Sequence, residues 1–193
     1  MPAHASGANR KGRASKASII AVAAEVFSQR GFRGATMADI AAAAGLTHPG
    51  LLYHFPRKED LLFAVMDEHL VPGVSFVANA ATKGSQAVLH ALVEIARQNA
   101  ADPAWVRLAS VLMAEALTPD HPAHEYMRSR TESIANALAA GLADIEPDAR
   151  RRLALARVLN GSWDGLRMYG VLDPTIDPVA DLEVLVSLVA TTR

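Results

Sequence analysis

A short segment that begins at Thr36 constrains the fold more tightly than any other part of the sequence. Thr36 can cap a helix, and Asp39 three residues later completes a weaker form of the capping box. Gly45 ends this helix because it tolerates positive φ. Thr47 is placed to cap the next helix, which has Pro49 in its first turn. The segment therefore predicts two short helices joined by a turn of three to four residues.

Helical spacing continues on both sides of this segment. Apolar residues recur three and four apart from Ser15 to Arg30, and Gly31 ends that helix. Periodicity and capping residues predict further helices over residues 58–71, 85–101, 103–117, 123–142, 148–171 and 178–191. Pro72 is expected to kink or interrupt the first of them. No stretch alternates as a strand does and only 5% of the residues are aromatic, so the sequence predicts an all-α protein.

Charge is distributed unevenly along the chain. Residues 1–58 carry eight basic and two acidic side chains, whereas the remainder carries eleven basic and eighteen acidic side chains. The net charge of −1 is therefore the sum of +6 on residues 1–58 and −7 on the remaining residues. A basic third joined to an acidic body is typical of a polyanion-binding module attached to a second domain.

Several classes of protein are disfavoured by what the sequence lacks. The chain has no cysteine, which excludes disulfides, zinc ribbons and cysteine nucleophiles. No run of about 18 uninterrupted apolar residues is present, so we expect no membrane span. The small, polar and basic N-terminal residues lack the apolar centre of a secretory signal. We therefore expect a cytoplasmic protein.

Two local patterns resemble catalytic or metal sites only superficially. His121 and His124 lie near two acids, but a metal site would need a cysteine or a third spaced histidine, so we expect a helix-entry loop. The run from Gly161 to Gly165 has its serine in the second place, and no strand precedes it, unlike a nucleophile elbow. The sequence therefore predicts no metal, no cofactor and no enzyme.

Two of the predicted helices are unusually apolar. The helix that starts at Pro103 is apolar almost all round, so it should be central and covered by neighbours. The last helix, from Pro178, is apolar on more than one face. A terminal helix is rarely central in its own domain, so its second apolar face suggests a partner subunit.

The segment over residues 19–65 resembles the DNA-binding domain of the TetR family of bacterial transcriptional regulators. The resemblance covers about a quarter of the chain and is far more specific than a generic helix-turn-helix. The matching residues are Ile19-Ile20, Ala23-Ala24, Val26-Phe27, Gly31-Phe32, Ala35-Thr36-Met37, Asp39-Ile40-Ala41, Ala44-Gly45-Leu46-Thr47, Leu51, Tyr53-His54-Phe55-Pro56 and Lys58-Glu59-Asp60-Leu61-Leu62.

The resemblance implies an N-terminal three-helix helix-turn-helix DNA-binding domain and a larger C-terminal helical domain for ligand binding and dimerisation. Members of this family are homodimers that dimerise through their last two helices. We accordingly divide the chain into a disordered basic arm over residues 1–14, a DNA-binding domain over residues 15–57 and a C-terminal domain over residues 58–193.

The resemblance also implies which residues contact double-stranded DNA. The first residues of a recognition helix reach base edges, which assigns base contacts to Thr47, His48, Pro49, Gly50 and Tyr53. Phosphate contacts are expected from the arm, from a helix N-terminus and from the end of the recognition helix, namely Arg10, Lys11, Arg13, Lys16, Thr36, His54 and Lys58. The chain departs from the family pattern at Leu52, where a tyrosine is common, and its aromatic residue is Tyr53 instead.

Two further sets of residues are assigned in the C-terminal domain. Large and polar side chains between helices could line a pocket or simply fill a core: Met66, His69, Trp105, Leu108, Leu112, Met113, Tyr126, Asn160, Trp163, Arg167 and Met168. Apolar residues of the last two helices are predicted to form the dimer interface: Leu155, Leu159, Leu166, Leu182, Leu185, Val186 and Val189.

These observations favour a homodimeric regulator that binds a pseudo-palindromic operator and is released by a small-molecule ligand, most simply a repressor. An alternative keeps DNA binding without a small-molecule effector, in a partner-gated or architectural regulator. A cavity of about 300 Å³ or more in the C-terminal domain would separate the two. A helical enzyme or metal-binding bundle is the remote alternative, because convergent acids, bases or nucleophiles are missing.

Overall fold

The described part of the chain is helical throughout. The computed structural model describes the backbone of residues 5–191 and the side chains of residues 16–191. Within that range no strand is present, and the helices are α1 (Ala5–Gly34), α2 (Met37–Ala43), α3 (His48–His54), α4 (Lys58–Ala81), α5 (Ser85–Ala100), α6 (Pro103–Glu115), α7 (His124–Gly141), α8 (Ala149–Leu172) and α9 (Pro178–Thr191). The predicted all-α fold is confirmed.

The first helix differs from its predicted bounds at both ends. It begins at Ala5, so helix covers part of the stretch expected to be a disordered arm; alanine and basic residues there are good helix formers. Near its other end, Gly31 leaves helical geometry with φ 68° and ψ 171°, as its predicted role as a helix breaker requires. The arm residues Arg10, Lys11 and Arg13 have side chains that lie outside the described residues.

The fourth helix does not end near Val71 as predicted. It continues through Pro72 to Ala81. A proline inside a helix removes the bond to the carbonyl four residues earlier, here that of Glu68. Both Pro72 and Glu68 are exposed, so water can satisfy that carbonyl and the helix can continue.

Two apolar clusters form the interior. The first cluster joins α1, α2, α3, α4, α6 and the start of α7, and its large buried members include Ile19, Phe27, Ile40, Leu51, Leu62, Met66, Leu70, Trp105, Leu108, Leu112 and Met127. The second cluster joins the end of α4 to α5, α7, α8 and α9, and includes Val77, Leu89, Leu92, Ile134, Leu138, Leu142, Leu159, Trp163 and Leu182. The first cluster crosses the proposed boundary at residue 58, so no break in the core marks that boundary.

Helix α4 passes through both clusters and connects them. By length and composition alone it could cross a membrane. Its buried residues, however, belong to the first cluster at Leu61, Leu62 and Leu70 and to the second at Val77. We attribute its apolar character to this central position. Helix α6 packs on α1, α5 and α8, which agrees with the central location predicted for it.

Candidate nucleic-acid interface

Helix α2 is positioned by a complete capping box. The Thr36 Oγ1 accepts a hydrogen bond from the Asp39 N–H at 3.1 Å, and the Thr36 N–H donates to Asp39 Oδ2 at 3.1 Å. Arg30 of α1 pairs with the same carboxylate at 2.9 Å. The Thr36 side-chain hydrogen bond, aided by Arg30, lowers the pKa of Asp39. These contacts hold α2 in a fixed direction relative to α1.

Helix α3 is built as the sequence predicts, with Thr47 as its cap. The Thr47 Oγ1 accepts from the Gly50 N–H at 3.2 Å, and Leu51 is fully buried beneath the helix. Gly45, with φ 66°, makes the turn between α2 and α3. A Cβ at Gly50 would lie 3.1 Å from the Thr47 Oγ1, so a side chain there would press on the cap. Glycine at this position therefore leaves the Thr47 cap undisturbed.

Four of the five predicted base-contacting residues are exposed to solvent, and Gly50 is half-buried. Thr47, His48 and Pro49 are exposed, and Tyr53 is 85% exposed. Leu52, which replaces the usual tyrosine, is half-buried. The Tyr53 ring packs edge-on against the His54 ring with centroids 5.4 Å apart. The aromatic surface available from this helix is therefore that of Tyr53.

The predicted phosphate-contacting residues have different surroundings. Lys16 is exposed and lies over the Phe55 ring at 5.3 Å, at the edge of the α3 surface. Thr36 is exposed, but its hydroxyl already donates to Asp39 at 2.7 Å. Lys58 donates to the carbonyls of Phe32 at 2.7 Å and of Ala35 at 2.8 Å. Lys58 thus has a structural role that the sequence did not indicate, and a phosphate contact would use its remaining N–H.

Replacing Tyr53 with alanine is expected to impair specific DNA binding without unfolding the protein. The ring is almost wholly in solvent, so its loss removes little packing, whereas a contact with DNA would be lost completely. We expect about a tenfold loss of affinity for the preferred site and an unchanged melting temperature. Fluorescence anisotropy with specific and random duplexes measures the affinity for DNA. Circular dichroism measures the melting temperature. Unchanged affinity would remove Tyr53 from the interface.

This helix-turn-helix is recognised by comparison with known protein families. Residues 19–65, which include all of α2 and α3, match the family described as bacterial regulatory proteins, tetR family. This region of the chain is therefore a TetR-family helix-turn-helix domain. The resemblance inferred from the sequence is therefore confirmed over the same residues.

Curated TetR-family relatives match this chain over the N-terminal region. The transcriptional regulator RutR of Escherichia coli is 44% identical over 57 residues, which are 30% of this chain and 27% of RutR. The transcriptional activator FasR of Mycolicibacterium smegmatis is 36% identical over 96 residues, which are 46% of this chain and 43% of FasR. The chain thus spans less than half the length of these curated relatives.

Solved structures extend the similarity to the whole TetR-like fold. The complex of SmeT with triclosan has a TM-score of 0.79 at 15% identity and covers 91% of this chain and 90% of SmeT. FadR from Bacillus subtilis, in complex with stearoyl-CoA, has a TM-score of 0.74 at 18% identity and covers 92% of this chain and 98% of FadR. The helical body therefore shares the fold of these proteins.

A junction centred on Phe32 connects the helix-turn-helix domain to the helical body. We define the Phe32 junction as Gly31, Phe32, Lys58, Glu115 and His121. The Glu115 Oε2, at the end of α6, accepts from the Phe32 N–H at 2.9 Å. Lys58 lies 4.3 Å above the Phe32 ring, and His121 packs edge-on against that ring with centroids 5.2 Å apart. The end of α1 is thus held from α4, from α6 and from the loop before α7.

His121 is a buried member of this junction. Its Nδ1 accepts a hydrogen bond from the Ala123 N–H at 3.2 Å, and its Nε2 lies 3.6 Å from Glu115 Oε2. Burial lowers the pKa of His121, although Glu115 acts in the opposite direction. Protonation of Nδ1 would also place two N–H groups against each other. The neighbouring His124 Nδ1 lies 2.8 Å from the Ala116 carbonyl oxygen, so both imidazoles are engaged by backbone groups of this loop.

His121 is expected to make stability fall in mild acid. Its pKa is lower in the folded state than its ordinary value of 6.5, so the unfolded chain binds the proton first. The stabilisation is complete above that ordinary value and is lost as pH falls through the folded pKa. His121→Asn, whose oxygen can still accept from Ala123, should flatten the dependence of melting temperature between about pH 7.5 and about pH 5. The exposed His90→Asn serves as control, and equal slopes in both variants would contradict the assignment.

The residues predicted to line one pocket are spread over several places. Met66, Leu108 and Leu112 are packed in the first cluster, and His69 stacks on Trp105 with ring centroids 4.2 Å apart. Three depressions contain the others: Met113 lines one, Tyr126 a second, and Trp163 with Arg167 a third. Asn160 is buried, whereas Met168 lies on the exposed side of α8. The structure therefore corrects the prediction of a single pocket, because helix packing places these side chains at different levels.

The predicted dimer residues also require correction. Leu159 and Leu182 are fully buried in the second cluster, so they hold α8 and α9 together within the chain. The other five, Leu155, Leu166, Leu185, Val186 and Val189, are partly buried against that cluster. The exposed apolar residues of these two helices lie on another face: Val158, Met168, Tyr169, Val171, Leu172, Val184 and Leu188. Periodicity revealed two apolar faces but not which one packs inward.

Proposed function

We propose that the chain is a homodimeric, sequence-specific DNA-binding transcriptional regulator, acting in the cytoplasm as a repressor that a small molecule releases from its operator. The observation that carries the proposal is the capped α3, on which Thr47, His48, Pro49 and Tyr53 are all exposed to solvent. It belongs to a domain that matches the TetR family. Helix N-terminal residues in this position read the major groove.

The dimer is supported by the outer face of α8 and α9. Soluble monomers rarely expose contiguous apolar surface, and this face carries Tyr169, Leu172, Val184 and Leu188. A two-fold pairing through it would present two copies of α3 to DNA. Each half-site would then lie about 34–36 Å from the other, one turn of the double helix.

An effector is supported by the shape of the body and by its relatives in fold. A depression of about 330 Å³ lies beside Trp163, and one of about 640 Å³ lies between α6, α7 and α8. Both depressions are open to solvent, and both have the volume of a small-molecule site, ~300 Å³ or more. SmeT is described as the repressor of a multidrug efflux pump and was solved with triclosan, and FadR was solved with stearoyl-CoA.

Helix α6 provides the route from an effector to the DNA-binding domain. Its first turns carry Trp105 and Val106 in the body, and its last residue, Glu115, holds the Phe32 N–H. A ligand that binds better when α6 has shifted would favour a state in which Glu115 has moved. Because Glu115 holds the Phe32 N–H, α1 and α3 would then change their orientation. Only such a difference in affinity between the two states can release DNA.

Selection from random duplex DNA tests the proposal. The full-length protein is incubated with a random library, and bound duplexes are recovered and sequenced. We expect a pseudo-palindrome whose half-sites are one helical turn apart, because two α3 helices would read it symmetrically. Enrichment of no sequence would overturn the proposal, and enrichment of a single half-site would overturn the homodimer.

A further inference from the structure

A group of polar side chains lies beside the two apolar clusters. We call it the polar layer, and it comprises Arg130 of α7 and Asn160, Asp164 and Arg167 of α8. On α7, Met127 belongs to the first cluster and Ile134 to the second, and Arg130 lies between them. On α8, Arg167 is one turn beyond Trp163 of the second cluster. Each arginine therefore occupies a position on a helix face that is otherwise apolar.

One acid lies within this layer. Asp164 pairs with Arg167 at 3.1 Å and accepts a hydrogen bond from the Asn160 Nδ2 at 3.3 Å. Arg167 is 7% exposed and Asn160 is also buried. Asp164 is the acid whose charge acts on both Arg130 and Arg167. At the outer edge, the Tyr126 hydroxyl donates to Asp67 at 2.7 Å.

The layer has more positive charge than its own acid neutralises. Two guanidinium groups face one carboxylate, which leaves one unit of positive charge in the interior. The Nε atoms of Arg130 and Arg167 are both buried and have no hydrogen-bond partner among the described residues. Burial lowers the pKa of both arginines, and the charge of Arg130 lowers the pKa of Arg167 further.

Stability alone does not account for this arrangement. A buried ion pair is often no more stable than apolar residues of the same volume, and an unbalanced buried charge is costly. Buried polar groups without partners are uncommon in native proteins, so each one calls for an explanation, such as a functional role or a bound water or ion. The two arginines therefore have hydrogen-bonding capacity that the described residues leave unused.

Space lies next to both arginines. Arg167 lines the depression of about 330 Å³, together with Val106, Trp163, Val171 and Ile176. Arg130 lines a depression of about 260 Å³, together with Leu70, Val74 and Tyr126. The first depression also contains the exposed Arg107, and three serines line the second, so each combines apolar side chains with a polar edge. This combination suits a molecule with one charged end and an apolar body.

We propose that Arg167, with Arg130 as the second positive charge, binds the carboxylate of an amphipathic effector whose apolar part lies against Val106 and Trp163. The proposal rests on the proposed function and names the chemical class of its effector. A monoanion matches the single excess charge, whereas a phosphate dianion would leave the layer negatively charged. Arginine is also suited to carboxylates, because its planar fork donates two hydrogen bonds.

The test compares carboxylic acids with alcohols of the same shape. Full-length protein is titrated with decanoate against decanol and with naphthoate against naphthylmethanol. Binding is followed by melting temperature and by tryptophan fluorescence, since one of the two tryptophans, Trp163, lines the site. We expect at least one acid of the two pairs to bind about tenfold or more tightly than its alcohol. That acid should also release the selected operator.

Variants locate the charge that recognises the acid. Arg167→Gln and Arg130→Gln should each weaken acid binding by about ten- to a hundredfold while alcohol binding is unchanged. Arg150→Gln, on the exposed surface of the same helix α8, should bind the acid as the wild type does. The comparison of acid with alcohol uses only the wild-type protein. It therefore tests whether a carboxylate is required for binding even if a variant fails to fold.

The outcomes separate this inference from the proposed function. Alcohols that bind as tightly as their acids, wild-type affinity in both glutamine variants, or no binding by either acid would each overturn the inference. If operator selection succeeds in any of these cases, the proposed function stands and only the carboxylate is wrong. Failure of the operator selection itself would instead count against the proposed function.

Discussion

Replacing Asp164 with alanine is expected to destabilise the protein by about 3–5 kcal/mol, because it leaves buried charge without its partner. Asp164 is the direct ion-pair partner of Arg167 and the acid that acts on Arg130. Without it, two positive charges would remain in the interior with nothing to balance them. The melting temperature should fall by roughly 6–20 °C, as measured by circular dichroism.

Two further variants distinguish charge balance from packing at Asp164. Asp181→Ala removes an acid from the exposed surface of α9, and its effect should be within about 0.5 kcal/mol. Asp164→Ala combined with Arg167→Met should recover much of the lost stability, since the uncompensated cation is removed with its partner. Additive losses in the double variant would show that Asp164 acts through packing and not through charge.

Replacing Gly31 with alanine is expected to cost about 2–5 kcal/mol and to loosen the DNA-binding domain from the body. Its backbone, at φ 68° and ψ 171°, lies in a region that is essentially restricted to glycine, which costs about 1–3 kcal/mol for other residues. A Cβ there would also lie 2.5 Å from Glu115 Oε1. The flexible carboxylate would move away and leave the buried Phe32 N–H without its acceptor, at about 1–3 kcal/mol.

Other glycines of the chain supply matched controls for Gly31. Gly34 has ordinary φ and its nearest Cβ contact would be 3.6 Å, so Gly34→Ala should be neutral or stabilising by about 0.5–1 kcal/mol. Gly45 has φ 66° with no atom within 4 Å of a Cβ, so Gly45→Ala should show backbone strain without a clash, about 1–2 kcal/mol. Thermal unfolding of the three variants separates the cost of backbone strain from the cost of displacing the Glu115 carboxylate.

The role of Glu115 can be tested in the same series. Once alanine at position 31 has displaced the carboxylate, Glu115→Ala in the same chain should add little further loss. Fully additive losses would contradict the proposed displacement. Because Glu115 is also the end of α6, the Gly31→Ala variant should bind the selected operator more weakly and respond less to any effector.

Features made by neighbours in the sequence were the predictable ones. The Thr36 and Thr47 caps and the Gly45 turn depend on bonds that span three to five residues, so residue type and spacing are sufficient to infer them. The exposed side of α3 follows from them, because burial of Leu51 turns Tyr53 to solvent. The local geometry of α3 was for this reason predictable, and the DNA contacts assigned to it stay a prediction.

Long-range features were missed. Lys58 donates to the carbonyl of Phe32, 26 residues earlier, and the sequence did not indicate this contact. Arg130 was not singled out at all, although an arginine spaced three residues from Met127 and four from Ile134, on an apolar helix face, was a usable signal. Periodicity shows that a face is apolar, but only packing shows what covers it.

The sequence by itself determined the all-helical class, the starts of the helices after α1, the helix-turn-helix and the uneven distribution of charge. Caps, turns and periodicity depend on residues a few positions apart, so they can be inferred from the local sequence. Only the tertiary structure decided why residue 31 must be glycine, which face of α8 and α9 is outward, and where Arg130 and Arg167 meet Asp164. Those features depend on helices far apart in the chain, whose relative depth and rotation are set by side-chain packing.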